Sequence, residues 1–259
     1  MELNSLQKSL TEKLTKNSNI SILQADTWCV PVHTLNITYK PVIRTKMDIL
    51  MKMLFLSLKE THFESPEQIS EILLVEPLFV HDLLSKMQKT GLISKTSGWY
   101  ELTDKGKSQF ANGVFEEEQD EASVELLYSP THESFLKGDI EEVLDYEDFP
   151  EKMFRYASQD EPLSLEHDVI IAEIKSRNLD DQDGEEDTEE NLLITSLDGV
   201  EDMQVNDVPC IEFVLYNQEK DNYSCRIWNT LIDGWDEKME LLIQNKEKTS
   251  WRKTLSNEK

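Results

Sequence analysis

The stretch over residues 45–110 constrains this chain most, because its start and stop signals come in a fixed order: helix, capped helix, helix, glycine, two short strands, helix. Residues 47–58 contain no Gly or Pro and are rich in Leu and Met, strong helix formers. They are apolar nearly all round, which places such a helix deep in a small core. Ser65-Pro66-Glu67-Gln68 then sets Ser at the N-cap, Pro at N1 and Gln at N3, the signature of a capping box. Ile69, Ile72 and Leu73 recur behind it at helical spacing. A third helix is expected from Glu76-Pro77 to Thr90, with Val80, Leu83, Leu84 and Met87 as its apolar stripe. Gly91 supplies the left-handed turn that ends it. Residues 92–95 and 98–102 read as a hairpin, and Thr103-Asp104 caps a last helix reaching Phe110.

Leu83-Leu84, Met87, Gly91-Leu92-Ile93 and Tyr100-Glu101-Leu102-Thr103-Asp104-Lys105-Gly106 together resemble the winged helix-turn-helix superfamily. In that family a helix ends in leucine, "GLI" opens the wing and "LT-x-x-G" closes it. The resemblance covers about a quarter of the chain. It implies a winged helix there, and a module that binds DNA, RNA or protein. For DNA, the third helix would enter the major groove. Its start carries Glu76 and Asp82; Lys86 and Lys89 come late and Lys95 falls on the wing. These three lysines are the candidate nucleic-acid contacts. Phosphate binding needs several cations on one face, so only weak affinity is expected.

Charge divides the chain unevenly. Of its 26 basic and 52 acidic residues, residues 113–259 hold 13 and 40, a net −27. Residues 1–43 carry +1 and residues 44–112 are neutral. Such an acidic half repels nucleic acid and favours a protein partner with a basic surface. Glu185, Glu186, Asp187, Glu189 and Glu190, in a stretch with no apolar residue, are the candidate partner contacts. The expected division is residues 1–43 (a polar segment with Leu3, Leu6, Leu10 and Leu14 at helical spacing, then strands), 44–114 (winged helix) and 115–259. The last part is expected to be an acidic α+β domain with a mostly antiparallel sheet. Pro31 argues for an edge or a break in the strand near residue 30. Residues 115–121 read as a charged joint, residues 140–144 and 150–157 as short helices, and residues 210–216 and 223–228 as a hairpin. No internal repeat is evident.

Three widely spaced cysteines suit free thiols in a reducing cytoplasm, and neither a secretion signal nor a membrane span is implied. No catalytic residue, metal ligand or cofactor is assigned. Glu173-Ile174-Lys175 after an apolar run resembles the strand-borne E-x-K of restriction-type nucleases, but an ordinary amphipathic segment is the simpler reading. His132 and His167 are turn or surface histidines on this reading. The expected function is a non-enzymatic regulatory or assembly subunit of a cytoplasmic, nucleic-acid-handling complex, such as a bacterial defence or genome-maintenance machine. A DNA-binding transcriptional regulator is the alternative, and a metal nuclease around Glu173 and Lys175 the second.

Overall fold

The computed structural model describes residues 2–157, 164–180 and 192–254; for residues 178–180 and 192 it describes the backbone alone. The chain runs through helix α1 (Leu3–Thr15), strands β1 (Ile20–Tyr39) and β2 (Val42–Lys46), and helices α2 (Ile49–Glu60), α3 (Pro66–Leu73) and α4 (Pro77–Lys89). Strands β3 (Ile93–Thr96) and β4 (Trp99–Leu102), helix α5 (Asp104–Asn112), and strands β5 (Val114–Glu118), β6 (Ala122–Ser129) and β7 (Ser134–Leu136) follow. The remainder is α6 (Ile140–Leu144), α7 (His167–Asp180), β8 (Leu192–Leu193), β9 (Leu197–Asn217), β10 (Asn222–Asn229), β11 (Gly234–Trp235) and α8 (Glu237–Thr254). The protein is a mixed α+β structure with antiparallel ladders. No helix among the described residues is long and apolar enough to cross a membrane.

Its two compact units are both discontinuous, unlike the expected linear division. The first comprises Met1–Ile37, Val124–Leu165 and Gly199–Lys259; the second Thr38–Ser123 and Glu166–Asp198. The reason is long-range pairing. The six-stranded sheet has the order β11-β10-β9-β1-β6-β7, so strands distant in sequence become neighbours. β1 is thus an inner strand, and Pro31 sits within it, neither at an edge nor at a break.

In the first unit a helix covers each face of that sheet. Ile211, Phe213 and Leu215 of β9 pack with Leu3 and Leu10 of α1. Asp148 caps α1 from a distance, its carboxylate accepting from the Leu3 N–H at 2.7 Å. On the other face Cys210 and Val214 pack with Trp28, Cys225, Ile227, Met239 and Ile243, the last two from α8. Alternation along β9 makes one strand serve both cores. Residues 150–157, expected as a helix, are instead partly extended, forming a parallel bridge between Met153 and Cys29.

The two ends of the sheet repeat one hairpin. Tyr128 pairs with Phe135 and Ser129 with Ser134; Trp228 pairs with Trp235 and Asn229 with Gly234. Both turns place an acidic residue at positive φ, Glu133 at 46° and Asp233 at 43°. Both carry an edge-on aromatic pair, with ring centroids 5.3 Å apart in one and 5.2 Å in the other. This internal repeat was not evident in the sequence, because only the aromatic ends and one acidic residue correspond and no residue is identical.

The second unit holds the helix–helix–helix–hairpin–helix order. Its core gathers Met51, Leu54, Phe55, Ile69, Val80, Leu84, Met87, Leu92 and Tyr100. Asp48 caps α2 through the Met51 N–H at 2.7 Å. The capping box at Ser65 does not form: the Ser65 side chain makes no cap bond, and Gln68 accepts from Glu64 N–H. Gly91 has φ 71°. Thr103 joins three pieces, donating to Gly91 O at 2.7 Å and accepting from Gly106 N–H at 3.0 Å. Gly106 lies so close to the Leu92 carbonyl that a Cβ would sit 2.1 Å from its oxygen. The expected charged joint is part of a strand, β5, paired with β2 from Val42↔Glu118 to Lys46↔Val114.

Candidate interaction face

Helix α4 turns Val80, Leu84 and Met87 inward, packs Leu83 half-buried against the same core, and leaves Leu78, Phe79, His81 and Asp82 exposed. At its start Leu78 is 64% and Phe79 60% exposed, and Leu74, in the turn before it, is 91% exposed. Pro77 at N1 fixes the first turn, so both apolar side chains at its outset are held on the surface. Ile72, also exposed, borders a groove of about 310 Å³ that Leu56 and Phe63 line as well. The α3–α4 corner thus concentrates apolar surface where a DNA-reading module would carry cations and amides.

Two of the three candidate lysines have partners within the unit. Lys86 is paired with Glu117 at 2.8 Å and lies 4.9 Å from the Phe115 ring centre. Lys95 donates to the Glu64 carbonyl at 2.9 Å and stands over the Tyr100 ring. Lys89 is exposed. Two of the three positive charges are therefore already engaged within the unit. The candidate partner contacts Glu185, Glu186, Asp187, Glu189 and Glu190 lie outside the described residues.

Glu173 and Lys175 stand on helix α7, not on a strand. Residues two apart on a helix diverge by about 200°, so the pair cannot converge on one metal as it does across a strand face. Glu173 instead accepts from Arg177 at 2.9 Å, and Lys175 faces solvent. Among the described residues no three His, Cys, Asp or Glu side chains group as metal ligands.

His132 belongs to the first unit and His167 to the second. His132 is buried, not superficial. Its Nδ1 lies 2.6 Å from Ser129 Oγ and its Nε2 2.8 Å from Asp236 Oδ2, while Asn229 donates to the same carboxylate at 2.9 Å. Asp236 also caps α8, accepting from the Met239 N–H at 3.1 Å. Burial pushes the Asp236 carboxyl up, but the hydrogen bonds from His132, Asn229 and Met239 outweigh it and hold the group below its ordinary value. Ser129, His132 and Asp236 are the residue types of an acyl-transfer triad. All three are buried, so no substrate reaches Ser129 Oγ in this conformation and the cluster acts as a lock between the two repeated hairpins. No local sequence signal announces the cluster, because His132 and Asp236 meet across 104 residues of chain.

A second buried polar cluster centres on Glu212, which accepts from Trp28 Nε1 at 2.8 Å and from both terminal nitrogens of Arg155, at 2.8 and 2.9 Å. It ties the extended segment around residue 155 to the sheet. Set against models of known protein families, curated proteins and solved structures, the chain matches none.

Proposed function

We propose that this protein is a non-catalytic interaction subunit whose second unit is a winged-helix module that docks a protein rather than DNA. The exposed apolar corner of Leu74, Leu78 and Phe79 carries this reading, beside lysines already engaged internally. Interface centres are built on apolar and aromatic anchors, and here they stand where a DNA reader would place Arg or Asn. The strongly acidic residues 113–259 favour a partner with a basic rim and oppose nucleic acid. A cytoplasmic, nucleic-acid-handling assembly, with this chain as its regulatory or structural component, is the proposed context.

The test compares wild type with Leu78→Ser/Phe79→Ser. Complexes captured from the native host by wild type should be lost with the variant, while its melting temperature stays within a few degrees. Duplex DNA should shift only in the non-specific range, about 10⁻⁴–10⁻⁶ M at physiological salt. A tight, sequence-specific shift that Lys89→Ala abolishes would replace this reading with that of a transcriptional regulator.

A further inference from the structure

Strand β9 is longer than its partner. β10 pairs with it only from Cys210 to Asn217, and the Thr230 N–H extends that side to the Pro209 carbonyl. Beyond that point, among the described residues, no strand follows β9 on that side: its neighbours in the sheet are β10 and β1 alone. Residues 199–207 therefore present an open edge about 30 Å long at ~3.3 Å per residue. Unpaired edges are templates for another strand, and folds normally blunt them.

The side chains of this edge are arranged by face. Asp202 meets His33 Nδ1 at 2.8 Å, and Gln204 donates to Asn206, which is itself bonded to Thr34. That face is engaged within the unit. The alternate face carries Glu201, Met203, Val205 and Asp207 in order. Met203 is 58% and Val205 53% exposed. The pattern is acid, apolar, apolar, acid. The sheet already takes one extended segment outside its ladders: the Cys29 N–H donates to Lys152 O at 2.8 Å and Phe154 N–H to Cys29 O at 2.7 Å.

We propose that the open edge of β9 over residues 199–207 is a strand-addition site for an extended segment of a partner protein, with two apolar side chains flanked two residues out by Lys or Arg. The backbone would supply affinity and the alternating face the register. A second copy of this chain is the wrong occupant. Antiparallel self-pairing about residue 204 sets Met203 against Val205 but Glu201 against Asp207, and like charges directly opposite are unfavourable. Basic flanks turn both of those pairs favourable in either strand direction. The site lies in the first unit, so it does not depend on the docking role given to α4.

The probe is the synthetic peptide KTVTVTK, with ETVTVTE and an N-methylated KTVTVTK as controls. The full-length chain at 0.15 M salt should bind KTVTVTK at least tenfold tighter than ETVTVTE, and lose binding when the peptide amides are methylated. Amide exchange should slow within residues 199–207. The exposed double variant Glu201→Lys/Asp207→Lys should reverse the preference between the two peptides, which a misfolded chain would not do. Equal affinities, no binding, binding that survives methylation, protection elsewhere, or dimerisation through this edge would each overturn the proposal.

Discussion

At the scale of single residues, the buried polar contacts of the first unit have the largest consequences. His132→Ala would strand Asp236 and Ser129 in a dry site, and should cost on the order of 3 kcal/mol in urea unfolding. The pH dependence follows from the sign of the Asp236 shift. Its folded value lies below the ordinary 3.8, so its contribution is complete above about pH 4 and is lost as pH falls through the folded value. Stability measured between pH 5 and 2 should show that loss, and Asp236→Asn should flatten it. The thiols are a second residue-scale case. Burial, assisted by the Asp207 charge at Cys29 and by Glu212 and Glu240 at Cys225, pushes both up to about 12. Burial raises Cys210 as well. At pH 8 a thiol reagent should label none of the three in the native protein and all three after denaturation.

Among elements, the junction of α4, β3 and α5 shows how a sequence motif becomes a contact. The Thr103 hydroxyl bridges Gly91 and Gly106, and the Gly106 backbone packs on Leu92. Gly106→Ala forces a Cβ into a backbone oxygen and should cost about 1–3 kcal/mol in thermal unfolding. Thr103→Ala removes one cap and should cost about 1 kcal/mol. Helices α2 to α5 and the β3–β4 hairpin were legible because their periodicities and breakers, and the Thr103 cap, are local. The charged residues 115–118 were not legible as a strand. Their partner β2 lies over seventy residues away, and nothing in Phe115-Glu116-Glu117-Glu118 announces that pairing.

For the whole molecule, the discontinuous units alter which fragments stand alone. The second unit's core gathers residues from Met47 to Phe115. A fragment of residues 38–123 keeps both β2 and β5 and should unfold cooperatively; one ending at residue 112 loses Phe115 and that ladder and should melt lower. Circular dichroism of the two fragments checks this. The net charge of −26 acts at the same scale. Association with a basic partner should slow steeply as salt rises past physiological strength, where the Debye length is about 8 Å.

By itself the sequence determined the local elements: the helices over residues 49–112, the Thr103 cap, the turn at Gly91, the amphipathic α1, the 210–228 hairpin and the uneven charge. Each depends on neighbours within a few turns of chain. The tertiary structure alone decided that β1 is central despite Pro31, that Glu173 and Lys175 stand on a helix, and that His132 is buried against Asp236. It also decided that two hairpins repeat at the sheet ends, that Lys86 and Lys95 are engaged, and that β9 outruns its partner. All of these depend on which distant segments meet. That pairing is chosen by the summed burial of both sheet faces, a quantity no single stretch of sequence carries.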